Sequence, residues 1–454
     1  MTHPRCLRMS KLTLGLVAAL AAAPVFAQST SAGVAGLVTS SGGQPVPNAE
    51  VTITHVESGT VSRATTDASG RYNARGLRVG GPYTITITKS GEGTKTEEGV
   101  FLNLNQVNSV DAALGGDVTT LGAVQAIGGD YGSALFSANK MGTGTNVTRE
   151  QIESLPSINR NLQDYVRLDP RVAQTDKARN EISVGGQNPR FNLIRVDGIS
   201  TNDAFGLESN GLPTPRQPFS MDVIDEISVD VANYDVTITG ATGGVINAVT
   251  KSGTNEFHGS VYGTYRENDW SGKNQNDIRP QLFDDETTYG LTLGGPIIKD
   301  KLFFFANYEK YKGKGVFTGA SGYGPIGSGE SNIVGITQAQ VDQVIDISRN
   351  VYGFDPGTLT LPALDSDSEE KGFKLDWNIS DKHRASFRYG ESEQSTANLN
   401  GFGNQALSLN SFHYVRDFSL KTYTAQLFSD WTDTFSTEAK VSYRDYSAVS
   451  YTHL

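Results

Sequence analysis

From residue 257 onwards, apolar and polar residues alternate with a period of two in one segment after another. Successive side chains of a β-strand point to opposite faces, so each segment predicts a strand with one apolar and one polar face. The polar positions include Lys374, Arg388 and Lys440. The apolar positions of the clearest segments are Tyr289, Leu291 and Leu293, then Phe373, Leu375, Trp377 and Ile379, then Ala385, Phe387 and Tyr389, and finally Ala439, Val441 and Tyr443.

Shorter strands with the same alternation are predicted earlier, within residues 33–114. Val51 and Ile53 alternate with threonines, and so do Ile85 and Ile87. The turn-forming sequences PVPN and DASG separate the strands at regular spacing. This segment therefore predicts a small β-sandwich.

The middle region carries the clearest helix signals. Thr148 and Gln151 form a capping-box pattern, and Pro156 should end that helix. Residues 161–168 place three apolar side chains at helical spacing and predict a second short helix. Residues 182–200 follow, and they predict two strands around a turn rich in Gly, Asn and Pro.

The character of the chain changes within residues 240–265. Val245–Thr250 is rich in β-branched residues and predicts a strand. Residues 251–256 predict a polar turn in which Gly253 allows a positive φ. Residues 257–265 predict a second strand. The pair is either one more hairpin of a soluble β protein or a hinge between an internal plug and a barrel wall.

Composition narrows the class of protein. Apolar residues make up 37% of the 454 residues, which is too few for a helical membrane protein. The 50 Gly, 18 Tyr and 20 Phe suit a β-rich chain with many turns. The net charge of −11 argues against a general nucleic-acid-binding protein.

Residues 1–27 have the pattern of a secretory signal peptide. Basic residues precede an apolar run of about a dozen residues, which is too short to span a bilayer. Small residues predict cleavage between Ala27 and Gln28. The single cysteine, Cys6, would be removed with the signal, so no disulfide is expected in the mature chain. A short membrane anchor is the less favoured interpretation.

The sandwich segment resembles a known family. Its motifs PVPNAEVTI, TTDASGRY and GLRVGGPY occur in this order. They resemble a carboxypeptidase regulatory-like domain. The resemblance implies an accessory immunoglobulin-like module without peptidase activity.

A second resemblance covers the middle region. The motifs NPRFNLIRVDGI, MDVIDEISV and GATGGVINAVTKSGTN follow one another behind the sandwich. This order resembles the plug domain of TonB-dependent outer-membrane receptors, and in particular the Oar-like receptors with the same accessory domain. The resemblance implies a plug over about residues 138–256, after which Phe257 begins the wall. The residues that match its motif are Arg190, Arg195, Asp197, Gly198, Gly243, Gly244 and Asn247.

Residues 115–137 form a Gly-rich linker that contains a short extended run. Such a run can add as a strand to the sheet edge of a partner. The resemblance implies that TonB is this partner, and the candidate TonB-box residues are Leu121, Gly122, Ala123, Val124 and Gln125. A linker strand that docks on its own protein fits the sequence equally well.

The alternating strands favour a barrel wall. An antiparallel sandwich with one solvated face has the same period, but the signal peptide, the plug-like motifs and the long loops indicate an outer-membrane barrel. Residues 313–370 predict one long outward loop with an amphipathic helix in residues 337–352. The aromatic residues of 302–305, with Tyr308 and Tyr311, are candidates for an interfacial girdle.

The sequence thus predicts a mainly β protein. Its parts are a signal peptide (1–27), an Ig-like sandwich (28–114), a linker (115–137), an α+β plug (138–256) and the first strands of a transmembrane β-barrel (257–454). The resembled family closes barrels of about 22 strands, whereas roughly seven follow residue 256 here. We therefore expect the N-terminal part of a longer protein. The ending VSYTHL, residues 449–454, resembles translated sequencing-adapter DNA and is not expected to be native.

The sequence offers little for catalysis. None of the six histidines has the H-E-x-x-H spacing of a zinc site, and no G-x-S-x-G or phosphate-binding G-x-x-x-x-G-K-[ST] motif occurs. We therefore expect no enzyme activity, no metal and no cofactor. The acidic run at residues 365–370 suits a solvated loop better than a cation site.

The leading hypothesis is an energy-coupled outer-membrane receptor. The resemblance implies TonB, with ExbB and ExbD, as the energising partner, outer-membrane lipid around the barrel and an external ligand. No nucleic-acid partner is expected. One alternative is a structural or adhesive surface protein, and another is a secreted carbohydrate-binding sandwich protein.

Overall fold

The computed structural model of the chain describes residues 30–115, 144–155, 157, 160–177, 179–206, 208–231, 238, 240–273, 277, 283–315, 323–330, 332–360, 365–399, 401, 403, 405–432 and 435–451. These residues form three bodies. They are a β-sandwich, an inner α+β domain at the position predicted for the plug, and a large curved sheet. They are called the sandwich, the plug and the wall below.

The sandwich consists of two four-stranded sheets. Its strands are β1 (Ala32–Ser40), β2 (Glu50–His55), β3 (Thr60–Thr65), β4 (Arg71–Leu77), β5 (Gly80–Lys89), β6 (Gly93–Leu102), β7 (Val107–Ser109) and β8 (Ala112–Leu114). One sheet has the order β3-β2-β5-β6, and in the other β1 pairs with β4, β7 and β8. Val51, Ile53, Ile85 and Ile87 are fully buried, so the predicted alternation of β2 and β5 is confirmed.

The plug contains a five-stranded sheet with two short helices. Its elements are β9 (Gly144–Val147), α1 (Arg149–Ser154), α2 (Leu162–Val166), β10 (Val172–Asp176), β11 (Glu181–Val184), β12 (Leu193–Val196), β13 (Ile199–Ser200), β14 (Ile224–Asp230) and β15 (Val245–Thr250), with 3-10 helices Pro189–Phe191 and Met221–Val223. The sheet order is β13-β12-β15-β14-β9, and β10 pairs with β11 separately. β12 and β15 are parallel, whereas the other pairs of the sheet are antiparallel.

Local signals in the plug are confirmed. The capping box of Thr148 and Gln151 begins α1. The apolar residues predicted for the second helix are buried in α2. Asp197 and Gly198 have φ angles of 48° and 73°. Two successive positive φ values are typical of a tight hairpin turn, and this turn connects β12 to β13.

The wall is a seven-stranded antiparallel sheet whose strands pair in chain order. Its strands are β16 (His258–Glu267), β17 (Asp285–Ile298), β18 (Leu302–Lys314), β21 (Ser366–Ser380), β22 (His383–Asn398), β23 (Tyr414–Thr432) and β24 (Phe435–Tyr451), with 3-10 helices Asn268–Trp270 and Asn410–Phe412. Short turns at 299–301 and 381–382 lie at one end, and long connections lie at the other. Among the described residues, no helix is both long and apolar enough to cross a membrane.

The outward face of the wall is apolar and carries two rows of aromatic rings. Tyr389, Tyr423 and Tyr443 belong to one row, with ring centroids 5.1 and 6.2 Å apart. Trp431 belongs to the other, nearer the short turns. Along β23 the two rows are roughly 26 Å apart, at about 3.3 Å per residue, which approaches the height of the apolar band of outer-membrane barrels.

The predicted aromatic cluster on β18 divides between the two faces of the wall. Phe304 and Tyr308 lie on the outward face, where they contact Phe257 and Tyr289. Phe303, Phe305 and Tyr311 alternate with them and are buried on the inward face. Only the outward members can therefore belong to a girdle.

The long connection between β18 and β21 has structure of its own. It contains β19 (Tyr323–Ile326), β20 (Asn332–Thr337) and α3 (Gln338–Asn350). The predicted amphipathic helix is α3, whose Val341 and Ile345 are buried. The acidic run, expected to lie in the loop, instead supplies the first residues of β21.

Candidate functional site

The plug meets the inward face of the wall through a polar interface, and Asp197 lies at its centre. Asp197 is 8% exposed and accepts hydrogen bonds from the main-chain N–H (2.9 Å) and the hydroxyl (2.7 Å) of Thr250. Arg388 Nε, on β22, lies 3.1 Å from Asp197 Oδ2. Lys374 Nζ donates to the Thr250 carbonyl (2.9 Å), and Lys440 Nζ donates to the Asp197 carbonyl (2.5 Å). Cations from three wall strands thus converge on Asp197 and the adjoining Thr250.

The charge of Asp197 depends on these cations. Burial alone would raise the pKa of Asp197, but Lys374, Arg388 and the hydrogen bonds from Thr250 together hold it below its ordinary value. Asp197 is therefore ionised at neutral pH. A buried carboxylate of this kind is stable only while its cations stay in place, because an unpaired buried charge is strongly destabilising.

A second cluster surrounds Tyr262, which lies on the first wall strand. Its hydroxyl lies 2.9 Å from Ser220 Oγ of the plug and donates to Glu309 Oε2 of β18 at 2.7 Å. The guanidinium of Arg160, from the plug, lies 4.4 Å from the centroid of the Tyr262 ring and forms an ion pair with Asp222. A hydroxyl network and a cation–π contact therefore fix the plug to β16 and β18.

A third cluster holds the plug loop at residues 201–216. Arg416 of β23 forms an ion pair with Glu208 at 2.9 Å. Gln394 of β22 accepts from the main-chain N–H of Arg216 (3.2 Å) and donates to its carbonyl (2.9 Å). The contacts between plug and wall thus extend from the short-turn end towards the long-loop end.

The apolar core of the plug lies apart from this interface. The cluster of buried apolar side chains in the plug draws on its helices and one face of its sheet, and Phe305 is its single described member from the wall. The core of the plug is therefore formed almost entirely by the plug itself. The interface itself consists of groups that water can hydrogen-bond once they separate.

Two predicted glycines shape the entry to β15. The main-chain N–H of Gly244 donates to Asn192 Oδ1 at 3.1 Å. A Cβ on Gly244 would lie 2.7 Å from Val184 Cβ, and one on Gly243 would lie 2.7 Å from Asn192 Oδ1. Both positions therefore require a residue without a side chain.

The other predicted motif residues do not all lie together: two are buried on the plug sheet and one is exposed. Arg195 and Asn247 occupy the same register on parallel strands β12 and β15, and both are buried on the same face. Arg190 lies in the 3-10 helix Pro189–Phe191 and is exposed. The structure therefore brings the motif together around β12 and β15 with the exception of Arg190. The candidate TonB-box residues 121–125 and the cleavage residues Ala27 and Gln28 lie outside the described residues.

Sequence reasoning did not find the wall residues that complete the interface. These residues are Tyr262, Glu309, Lys374, Arg388, Gln394, Arg416 and Lys440. The polar phase of the alternation places such side chains on the inward face. The sequence pattern that could have indicated these residues was the occurrence of long charged side chains on that face. Their plug partners depend on pairings between distant parts of the chain. Among the described residues, no three His, Cys, Asp or Glu side chains come together as a possible metal site.

Three stretches of the chain match known families. Residues 33–115 match the carboxypeptidase regulatory-like domain, residues 138–245 the TonB-dependent receptor plug domain, and residues 249–321 an outer membrane beta barrel domain. The chain is also 31% identical over 309 residues to the TonB-dependent transporter Oar of Myxococcus xanthus, covering 62% of this chain and 27% of that protein. The chain belongs to the TonB-dependent outer-membrane receptors.

Two other proteins that are similar to this chain are named as a receptor and as an outer membrane transporter. The receptor is 30% identical over 190 residues to the probable TonB-dependent siderophore receptor PirA of Acinetobacter baumannii, covering 36% of this chain and 22% of that protein. Its structure resembles the outer membrane transporter YddB of Escherichia coli with a TM-score of 0.47 and 16% identity, covering 68% of this chain and 39% of that one. The chain thus spans about a quarter of the length of Oar and PirA.

Family membership settles the broad class of this protein. TonB-dependent receptors are outer-membrane proteins of Gram-negative bacteria and are not enzymes. The resemblance found in the motifs is confirmed, and so is the mainly β fold with its sandwich, its plug and the strands of a barrel. The outward apolar band of the wall is therefore its lipid-facing surface.

Proposed function

We propose that this receptor imports a ligand by energy-coupled displacement of its plug. The observation that carries the proposal is the polar interface around Asp197, in which cations from three wall strands hold Asp197 and the adjoining Thr250 of the plug. Such an interface fixes the resting position of the plug. It also allows the plug to leave, because both partners are polar and can be hydrated after separation.

The free-energy cost of displacing the plug depends on which surfaces become exposed. Opening an apolar core costs about 25 cal/mol for each Å² of apolar surface. The core of the plug is internal to the plug, and its described wall contribution is limited to Phe305. Displacement would therefore break mainly polar contacts, and a partner pulling on the chain would not have to unfold the whole domain.

The ligand would bind on the long-loop side of the plug. Phe191 and Phe205 are exposed there, next to the loop that Gln394 and Arg416 hold. The connection containing α3 extends from the same end of the wall. The sandwich lies at the short-turn end, which we assign to the periplasm.

Coupling would come from TonB, energised by ExbB and ExbD, through the linker residues Leu121 to Gln125. An extended segment can pair with the edge of a partner's sheet, and proline removes an N–H that such pairing needs. The linker joins β8 of the sandwich to β9 of the plug, so a pull on it is transmitted to the plug.

The coupling proposal is tested in the full-length receptor with Val124→Pro and the matched control Ala134→Pro. We expect Val124→Pro to abolish TonB-dependent uptake, with the control close to wild type. A peptide of residues 116–129 should also bind the periplasmic domain of TonB. Absence of peptide binding, together with normal uptake by Val124→Pro, would refute coupling and favour a structural or adhesive surface protein.

A further inference from the structure

The sandwich is packed against both the plug and the wall. Asn378 Nδ2 of the wall donates to Thr60 Oγ1 at 2.9 Å, and Thr30 Oγ1 donates to Gln426 Oε1 at 3.0 Å. Arg78 Nη1 donates to the carbonyl of Gly253, between plug and wall, at 3.3 Å. These contacts lie at the short-turn end and fix the orientation of the sandwich.

A separate contact joins the sandwich to the plug strand β9. The sandwich loop at residues 103–106 reaches Asn146, the third residue of that strand. Gln106 Nε2 donates to Asn146 Oδ1 at 2.7 Å, and Asn146 Nδ2 donates to the carbonyl of Leu104 at 3.1 Å. The main-chain N–H of Leu104 donates to Glu226 Oε1 of β14 at 2.9 Å, and Asn146 Nδ2 donates to the same oxygen at 2.5 Å. The side-chain amide of Asn146 thus bridges the two domains.

This contact involves a strand that lies at the edge of the plug sheet and next to the linker. β9 is a four-residue strand at the edge of the plug sheet, and β14 is its sheet partner. It is also the first described plug element after the linker. Among the described plug strands, β9 is therefore the first that a pull on the linker reaches. A short edge strand held by one neighbour is among the least stable parts of a sheet.

We propose that the sandwich acts as a latch on the plug, in which the loop of residues 103–106 is an interaction surface whose partner is strand β9. The proposal builds on the proposed function by naming the contact that a pull must break first. While the latch is closed, β9 cannot peel from β14 unless the hydrogen bonds of Asn146 to Leu104 and Gln106 also break. Opening the latch would leave β9 held by its four-residue ladder with β14 and by contacts within the plug, such as the hydrogen bond from Thr145 Oγ1 to Asp169 Oδ2 at 2.8 Å.

Gln106→Ala tests the latch, with Asn103→Ala as the matched control. Both residues are partly exposed on the same loop, and within the described residues the side chain of Asn103 forms no hydrogen bond. Hydrogen exchange of the β9 amides is measured in the full-length receptor. Loss of one hydrogen bond predicts roughly fivefold faster exchange in Gln106→Ala. Unchanged exchange of the β2 and β5 amides shows that the sandwich remains folded.

Single-molecule pulling provides a second readout. Val124→Cys gives a point of attachment in the linker, because the sequence holds no other cysteine after Cys6. We expect the first rupture at a lower force in Gln106→Ala than in Asn103→Ala. Equal forces and equal exchange would overturn the latch. Neither measurement requires TonB, so the latch can fail while coupling holds, and coupling can fail while the latch holds.

Discussion

Asp197 has two structural roles in the plug. With a φ of 48° and Gly198 after it, Asp197 forms the hairpin turn. Its carboxylate accepts a hydrogen bond from Thr250 and forms an ion pair with Arg388. The conformation of the turn therefore determines the position of the Asp197 carboxylate. The position of this carboxylate determines which wall strands contact the plug there.

Asp197→Asn should loosen the plug. The substitution keeps the turn but leaves Arg388 and Lys374 without their carboxylate, and breaking a buried ion pair costs about 3–5 kcal/mol. We expect the free energy of unfolding of the plug, measured by hydrogen exchange of the β15 amides, to fall by an amount in that range. Arg190→Gln is the control, because Arg190 is exposed, and it should leave exchange unchanged. An unchanged value in Asp197→Asn would contradict the role assigned to the interface.

The same site predicts a dependence on pH. The pKa of Asp197 is lowered in the folded state, so its contribution to stability is present above its unfolded value of about 3.9. That contribution is lost as the pH falls through the folded pKa. Wild type should therefore show a steeper loss of plug protection below about pH 4 than Asp197→Asn. Parallel curves for the two proteins would exclude Asp197 as the titrating group.

Gly244→Ala should destabilise the plug by steric overlap. The new methyl group would lie 2.7 Å from Cβ of Val184, a β-branched residue with little freedom to move away. Overpacking of this kind costs about 1–3 kcal/mol. Denaturant unfolding of the plug checks the loss. Gly272→Ala is the control, because a Cβ at Gly272 meets no atom within 4 Å.

At the scale of elements, strand β14 carries a buried carboxyl group, that of Glu226. Burial raises the pKa of Glu226 to about 8, with a further contribution from Asp225, whose own partner is Arg149. The hydrogen bonds from Asn146 and Leu104 act in the opposite direction. Glu226 lies at the contact between β14, β9 and the sandwich, so its ionisation affects that contact.

A raised carboxyl pKa gives a pH dependence of the opposite sign to that of Asp197. The folded state holds the Glu226 proton more tightly, so stability is full below about pH 4.5 and is lost as the pH rises through about 8. Hydrogen exchange of the β9 amides, corrected for intrinsic rates, should therefore quicken between pH 6 and 8.5. Glu226→Gln should remove this dependence, and a dependence that persists in Glu226→Gln would assign it to another group.

Local elements were predictable from sequence where one short-range rule decides them. The capping box of Thr148 gives α1, and the alternation of Val51 and Ile53 gives the buried face of β2. The acidic run was placed in a loop because its residues are polar, whereas pairing with β18 and β22 makes it part of a strand. Ser368 and Glu370 of this run are buried on the inward face, so polar residues can form part of a wall strand.

At the scale of the whole molecule, the three bodies meet through pairings that no local pattern encodes. Arg388 is marked by periodicity as facing inward, but its partner Asp197 lies in a distant turn. Gln106 and Asn146 are separated by the linker, and their contact depends on how the sandwich docks. The fold class could therefore be predicted from periodicity and motifs, whereas the plug–wall interface and the latch required the structure.

The lipid-facing band of the wall predicts that the cost of an introduced arginine depends on its depth in the bilayer. On β23, Leu427 lies midway between the rows marked by Tyr423 and Trp431, and it faces outward with 39% of its surface exposed. An arginine at the middle of the bilayer costs a barrel about 2–4 kcal/mol, whereas one near the interface costs about 0–1 kcal/mol. Leu427→Arg should therefore destabilise the wall strongly in refolding into lipid vesicles.

Ser419→Arg is the matched control for Leu427→Arg. Ser419 lies on the same strand and the same face, beyond Tyr423 towards the long-loop end, where Lys421 and Asp417 already face outward. We expect its arginine to reach water and to change the free energy of unfolding little. Equal destabilisation by the two substitutions would place the lipid band elsewhere on the wall. A large loss in Leu427→Arg alone would fix the bilayer between the two aromatic rows.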